Sequence, residues 1–371
     1  MKQPRIIISG GGTGGHIFPA ISIAQEIQHR YPDAKILFVG AKDKMEMEKV
    51  PQAGFPIEGL WISGIQRKLN WQNLLFPIKL ISSLLKSTQI VRKFQPHIAI
   101  GTGGFASGPL LKMANSMQLP SLLQEQNSFA GITNKWLAKE ANAICVAYEG
   151  MQKFFPEDKI VLTGNPIRSS ILEVSDYKDD KHQKQAKKHF KLNSEKPVLL
   201  VVGGSLGARR INQLIAEHLD FIQDQDVQIL WQTGKFYIND YKHLAQEEVA
   251  ISAFILEMQR AYQAADFIIS RSGAGAVSEL SVVGKPVIFI PSPNVAEDHQ
   301  TKNALSIVAQ KGAICIKEDE LNEKFTTEFR TLVKNKALQN QLGQSIKALA
   351  KPLATAHIVD EVEKHWNFKN E

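Results

Sequence analysis

The sequence predicts an α/β protein of two domains, each built on a parallel sheet covered by helices. Three observations predict it. Short apolar strands alternate with amphipathic helices, and that alternation begins again after the turn Gly164-Asn165-Pro166. The length of 371 residues also exceeds what one hydrophobic core serves well.

In the first half, strands are expected at residues 5–9, 36–39, 98–101, 121–124, 143–146 and 160–162, with a helix at about 17–30. The junction follows near Asn165, and then a basic polar stretch, 178–191, reads as a solvated helix and linker. Second-half strands are expected at 197–202, 227–232, 267–270, 287–291 and 313–316. A final helix, 355–366, carries Ile358, Val359, Val362 and Trp366 at helical spacing and needs a surface to bury them. The expected division is therefore 1–164, 165–350, and a C-terminal helical segment, 351–371, packing back on the first domain.

With 43% hydrophobic and 22% charged residues, the composition is that of a globular protein, not a disordered or fibrous one. A net charge of +7 points to an acidic partner: nucleic acid, an anionic membrane surface or a phosphorylated substrate. The two cysteines, Cys145 and Cys315, sit far apart in apolar runs and read as buried thiols in a reducing compartment. No export signal opens the chain, and no segment nears the ~18 apolar residues of a membrane span.

Gly10-Gly11-Gly12-Thr13-Gly14-Gly15 follows a strand and opens a helix. Glycines there let the backbone turn tightly and approach an anion at the helix N-terminus. A dinucleotide cofactor usually brings an acidic residue at the end of the second strand; here that strand ends Val39-Gly40-Ala41-Lys42, with Asp43 only beyond it. Two similar turns, Gly101-Thr102-Gly103-Gly104 and Gly203-Gly204-Ser205-Leu206-Gly207, also follow strands. Three such turns across both halves favour a ligand with several phosphates.

Residues 267–270 lead into Arg271-Ser272-Gly273-Ala274-Gly275-Ala276-Val277-Ser278-Glu279, a helix start expected to end at Gly284. Small residues leave its N-terminus open to a diphosphate. Glu279, one turn in, can accept two hydrogen bonds from a ribose cis-diol, or can simply stabilise the first turn. The polar loop 294–303 suits a sugar's hydroxyls or is an ordinary solvated loop.

The chain closely resembles the MurG family of peptidoglycan transferases. The resemblance is carried by Gly11–His16 with Phe18-Pro19, by residues 101–109, 125–134, 163–168 and 203–208, and by Arg271–Ala274 with Ser278-Glu279 and Asp298-His299-Gln300, in the family's order. It implies a GT-B fold, two Rossmann-like domains with parallel sheets facing a central cleft. It further implies transfer of N-acetylglucosamine from UDP-N-acetylglucosamine to lipid I at the cytoplasmic face of the plasma membrane. By position, Thr13, Gly14, Gly15 and Asn127 would approach the donor from the first domain. Arg168 and Ser205 would lie near its diphosphate, and Ile255 would hold uracil through its backbone. Ala274, Gly275, Ala276, Val277, Ser278 and Glu279 would hold diphosphate and ribose, and Gln300 the sugar. Gly12, His16, Gly103, Gly104 and Phe105 would face the acceptor. Gly275-Ala276 replaces a bulkier pair ending in threonine, and Phe105 stands where tyrosine is frequent, so a hydroxyl is lost at each place.

Two readings of His16 stand open: general base for the attacking hydroxyl, its ring kept neutral by the helix dipole, or ligand of the acceptor's diphosphate. Glu125 is the weaker candidate base. Asp224-Gln225-Asp226 resembles a metal-binding Asp-x-Asp but precedes a strand, so it reads as a solvated turn, and no metal or other cofactor is expected.

Residues 71–86 are too apolar for one buried face. At about 100° per residue, Leu74, Ile78, Ile81 and Leu85 form one stripe, with Phe76, Leu80 and Leu84 roughly opposite. Trp71, Leu75, Phe76, Lys79, Leu80 and Lys86, with Arg67 and Lys68 near, are the expected contacts to an anionic inner leaflet, unless the helix is buried all round. Expected partners are thus UDP-N-acetylglucosamine, undecaprenyl-linked lipid I, that leaflet, and cell-wall synthesis or division proteins, but no nucleic acid. A UDP-N-acetylglucosamine 2-epimerase and an inactive nucleotide-sugar-binding scaffold are the alternatives.

Overall fold

The structure, a computed structural model, describes residues 3–64, 75–172, 180–204, 207–295 and 298–366. The chain divides into two compact units, Met1–Ile167 with Leu353–Glu371, and Arg168–Pro352.

The first unit contains strands β1 (Arg5–Gly10), β2 (Lys35–Ala41), β3 (Ile57–Leu60) and β4 (Ile98–Gly103). It continues with β5 (Ser121–Glu125), β6 (Ala143–Val146) and β7 (Ile160–Leu162). All pairings are parallel, in the order β3-β2-β1-β4-β5-β6-β7. The second unit contains β8 (Val198–Val202), β9 (Gln228–Gln232), β10 (Val249–Ser252), β11 (Phe267–Ser270), β12 (Val287–Phe289) and β13 (Ile314–Cys315). Its order is β10-β9-β8-β11-β12-β13, again parallel.

In each sheet the strand order reverses beside the first strand, between β1 and β4 and between β8 and β11. Ligands of open α/β sheets bind outside the carboxyl ends of strands at such points. The glycine turns after β1, β4 and β8, and the segment after β11, all emerge there.

Both sheets are covered on each side, so strands such as Ile6-Ile7-Ile8 are apolar on both faces and fully buried. The helix Ala354–His365 completes the first unit: Ile358, Val359, Val362 and Trp366 join Ile17, Ile23 and Ile27 in one core cluster. Arg30 clamps the junction, donating to Asp360, to Glu363 (3.0 Å) and to the Ala356 carbonyl (3.0 Å).

Two expectations are corrected. In the helix Phe76–Phe94 the apolar stripes are exchanged. Phe76 and Leu80 pack on the core with Ile90 and Val91, while Ile78, Ile81 and Leu85 are 56%, 59% and 64% exposed. Ser83 and Ser87 explain the exchange: small buried side chains let the helix approach the sheet on the face that also carries Phe76 and Leu80. Lys86 is likewise drawn off the expected surface, donating to the Gly59 carbonyl (2.8 Å) beside Glu58, whereas Lys79 donates to Ser63 (3.1 Å) and lies over the half-exposed Trp61 ring. Trp71, Arg67 and Lys68 fall outside the described residues. In the basic stretch, the helix Asp180–His189 is not solvated throughout, because Lys187 is buried against Asp266 at 2.9 Å.

Candidate active site

In the first unit, the glycine turns are packed backbone to backbone. The Gly11 amide donates to the Gly103 carbonyl (3.3 Å). A Cβ on Gly104 (φ +83°) would stand 2.1 Å from the Gly11 carbonyl oxygen, and one on Gly10 would stand 1.9 Å from Thr102 Oγ1. Phe105 lies across the turn, its ring 2.8 Å from where a Gly12 Cβ would be. Gly12, Gly103, Gly104 and Phe105 are therefore brought together with His16.

The residue that organises this turn was not anticipated. Glu46 is fully buried, and its carboxylate accepts the amides of Gly12 (3.1 Å) and Ala41 (2.9 Å). Gly11 and Gly40 leave the room it needs, since a Cβ on either would lie within 2.5 Å of its side chain. The signal for it in the sequence is an acid shortly after β2, with a glycine in that strand and another just past β1; the nearer acid, Asp43, is exposed.

With the Gly11 and Gly12 amides engaged, it is the start of the helix Gly14–Arg30 that keeps N–H groups without a partner in the helix, the kind of group that binds an anion. His16 sits in that first turn. Its Nδ1 is 3.2 Å from the Gly11 carbonyl and 3.3 Å from Thr13 Oγ1. A carbonyl only accepts, so the bond to Gly11 puts the proton on Nδ1 and leaves the neutral ring's lone pair on Nε2. That is the tautomer a general base needs. The ring rests on Gly103, where a Cβ would be 3.2 Å from Nε2.

Glu125 is placed differently. Its buried carboxylate accepts from the Asn127 amide (3.1 Å) and side chain (3.4 Å), the Gly131 amide (2.9 Å) and Asn134 (2.9 Å). Burial holds its carboxyl above the usual carboxylate range, against the opposing pull of these donors. With both oxygens accepting from the loop 127–134, Glu125 holds Asn127 in place.

In the second unit, β11 leads to the helix Ala274–Val283 with Gly273 at its N-cap; the first helical bond runs from Val277 to Gly273. The amides of Ala274, Gly275 and Ala276 thus start the helix unpaired within it. A Cβ on Gly273, Gly275 or Gly204 would meet nothing within 4 Å. Val277 is buried in the core with its amide donating to Gly273 and its carbonyl accepting from Ser281, and Ser278 Oγ donates to the Ala274 carbonyl (3.0 Å), so the expected ligand contact at Val277 has neither a side chain nor an amide to make it. Gly284, at φ +68°, ends the helix as expected.

The structure brings Arg168 and Glu279 directly together. Arg168 Nε and Nη2 donate to the two carboxylate oxygens at 2.9 Å each, and the Tyr262 hydroxyl donates to Oε2 at 3.2 Å. Tyr262 was not anticipated.

Ile255 also differs from expectation in part. Its amide donates to Gln232 Oε1 (2.9 Å), while Gln232 Nε2 donates to the Gly204 carbonyl (3.1 Å). The Ile255 amide is thus already taken, and the buried Gln232 ties that segment to the glycine turn. Gln300 accepts the Ser292 amide on Oε1 (2.9 Å), which turns its NH2 outward as a donor. It lines a cavity of about 490 Å³ with Gly203, Gly207, Arg271 and Asn294. Ser205 lies outside the described residues. Asp226 pairs with Lys196 (2.8 Å) just before β9, at the opposite edge of the sheet.

Residues 6–146 match the glycosyltransferase family 28 N-terminal domain, and residues 198–357 match that family's C-terminal domain. The UDP-N-acetylglucosamine–N-acetylmuramyl-(pentapeptide) pyrophosphoryl-undecaprenol N-acetylglucosamine transferase of Flavobacterium psychrophilum is 57% identical over 365 residues, covering 98% of each chain. Among solved structures, Acinetobacter baumannii MurG superposes with a TM-score of 0.77 at 26% identity, covering 97% of this chain and 99% of that one. The UDP-GlcNAc 2-epimerase of Neisseria meningitidis superposes at 0.67 with 15% identity, over 98% of this chain and all of that one, a likeness of fold alone. The two parallel sheets and these superpositions make the fold GT-B. Matched in both halves and similar to its relatives over nearly its whole length, the chain belongs to glycosyltransferase family 28 and, within it, to the MurG family.

Proposed function

We propose that the protein transfers N-acetylglucosamine from UDP-N-acetylglucosamine to the 4-hydroxyl of the N-acetylmuramyl unit of lipid I, giving lipid II and UDP in peptidoglycan synthesis. The observation that carries this reading is the 57% identity, over 98% of both chains, to a transferase named for that reaction. The hydroxyl oxygen attacks the anomeric carbon, the bond to UDP breaks, and α becomes β. His16 Nε2 takes the hydroxyl proton. The open N-terminus of the helix Ala274–Val283 and the Arg168 guanidinium take the charge that develops on the leaving diphosphate. Gln300 donates to the sugar, Glu279 accepts from the ribose, and the Ile255 carbonyl accepts from uracil.

No metal is needed in this scheme, because the helix end and Arg168 supply the positive charge; turnover unchanged in EDTA is the expected result, and loss restored by magnesium would overturn it. Among the described residues no helix is long and apolar enough to cross a membrane. The surface that meets the cytoplasmic face of an anionic bilayer is the exposed stripe Leu75, Ile78, Ile81 and Leu85, with Trp61 and Lys79 beside it. Ile78→Ser with Ile81→Ser should reduce sedimentation with phosphatidylglycerol vesicles, while Phe76→Ser with Leu80→Ser should lower stability instead.

The assay that tests the function is incubation of labelled UDP-N-acetylglucosamine with and without lipid I. Lipid-linked disaccharide formed only with lipid I is expected; an epimer, or no product, would overturn the reading. His16→Ala should lower kcat at least ~100-fold if the ring is the base. An unchanged kcat with a raised acceptor KM would instead make it an acceptor ligand.

A further inference from the structure

We infer that Tyr262 is a positioning residue for the donor's ribose, its buried hydroxyl holding the Glu279 carboxylate in the orientation that receives the 2′- and 3′-hydroxyls. This rests on the donor reading above.

Glu279 has two partners of opposite character. Tyr262, on the helix Met258–Ala264, is 4% exposed, with its hydroxyl 3.2 Å from Glu279 Oε2. Arg168 reaches the same carboxylate from outside, with its side chain 47% exposed. A carboxylate offers about four lone-pair positions. The Arg168 fork takes two and Tyr262 one, so a diol cannot be received while Arg168 stays in place.

Only one partner can leave. Arg168 can exchange the carboxylate for water or for a diphosphate. The Tyr262 hydroxyl would become an unpaired buried donor, which is costly. Burial beside Glu279 holds the phenol well above its usual pKa, so it stays a donor throughout the working pH range. When Arg168 turns away, Tyr262 is what keeps Oε2 from rotating out of the ribose position.

Tyr262→Phe removes that single atom from a buried ring. Binding of UDP and of 2′-deoxy-UDP to the full chain should be measured calorimetrically, with a thermal melt to establish that the variant is folded. The variant should lose about tenfold in affinity for UDP and less than about twofold for 2′-deoxy-UDP, so the preference for the 2′-hydroxyl collapses. In a Glu279→Gln background the same substitution should cost nothing further, because Tyr262 acts through the carboxylate. Equal loss for both nucleotides, no loss for either, or full additivity with Glu279→Gln would overturn the assignment. A wild-type chain that fails to bind UDP would overturn the transferase reading itself.

Discussion

Glycines at the carboxyl ends of the two sheets solve two different problems. In the first unit, Gly10, Gly11, Gly12, Gly103 and Gly104 make room for protein: a Cβ on any of them would strike Thr102, Glu46, Phe105, His16 or the Gly11 carbonyl. In the second, Gly203 and Gly207 are packed in the same way, against Ala208 and the Thr233 carbonyl, but Gly204, Gly273 and Gly275 face open space. The first set builds a rigid platform whose amides at Gly11 and Gly12 are already bonded. The second leaves a helix end, at Gly273 and Gly275, and one turn position, Gly204, uncovered. A glycine-rich turn is thus two kinds of object, and only the space beside it tells them apart.

The largest effect expected is at the platform. Gly104→Ala combines a left-handed backbone with a Cβ 2.1 Å from a carbonyl oxygen and should cost about 4 kcal/mol in urea denaturation. A cost below about 1 kcal/mol would mean the turns are not locked together. Glu46→Ala leaves the Gly12 and Ala41 amides buried without their acceptor and should cost about 3 kcal/mol. On the open side, Arg168→Ala should weaken UDP binding about tenfold while leaving uridine binding equal or tighter, because the cation is lost but Glu279 is freed. Parallel weakening of both ligands would mean the ion pair serves the ribose site directly. Smallest is Gly275→Ala, which should raise stability by ~0.5 kcal/mol, since the added methyl meets nothing and favours the helix. A destabilised variant would break the contrast at its simplest point.

Much of this was legible in the residues. The strands flanking each switch point are uninterrupted runs of Ile, Leu and Val, and the turns that follow them are marked by glycine. The strands missed, β3 and β10, are edge strands in which only one flank pairs, so Ile57-Glu58-Gly59-Leu60 and Val249-Ala250-Ile251-Ser252 need no long apolar run. Glu279 was found through its place one turn into a helix. Glu46, Gln232 and Tyr262 were not, because each acts across a fold contact: Glu46 on Gly12, Gln232 on Ile255, Tyr262 on Glu279. Periodicity finds faces but not which face turns inward. That is why Phe76 and Ile78 exchanged roles, with the small Ser83 and Ser87 deciding the matter.

The helix Ala354–His365 has a consequence for how the chain is made. It supplies Ile358, Val359 and Val362, followed by Trp366, to the core that also holds Ile6, Ile8 and Ile17. On the ribosome, the unit built from residues 168–352 has all its sequence before the unit that begins the chain does. The core of the first unit is complete only when Ile358, Val359, Val362 and Trp366 have been made, after the whole of residues 168–352. A substitution in that helix therefore acts on a core whose other residues end at Cys145, more than 200 residues earlier in the chain.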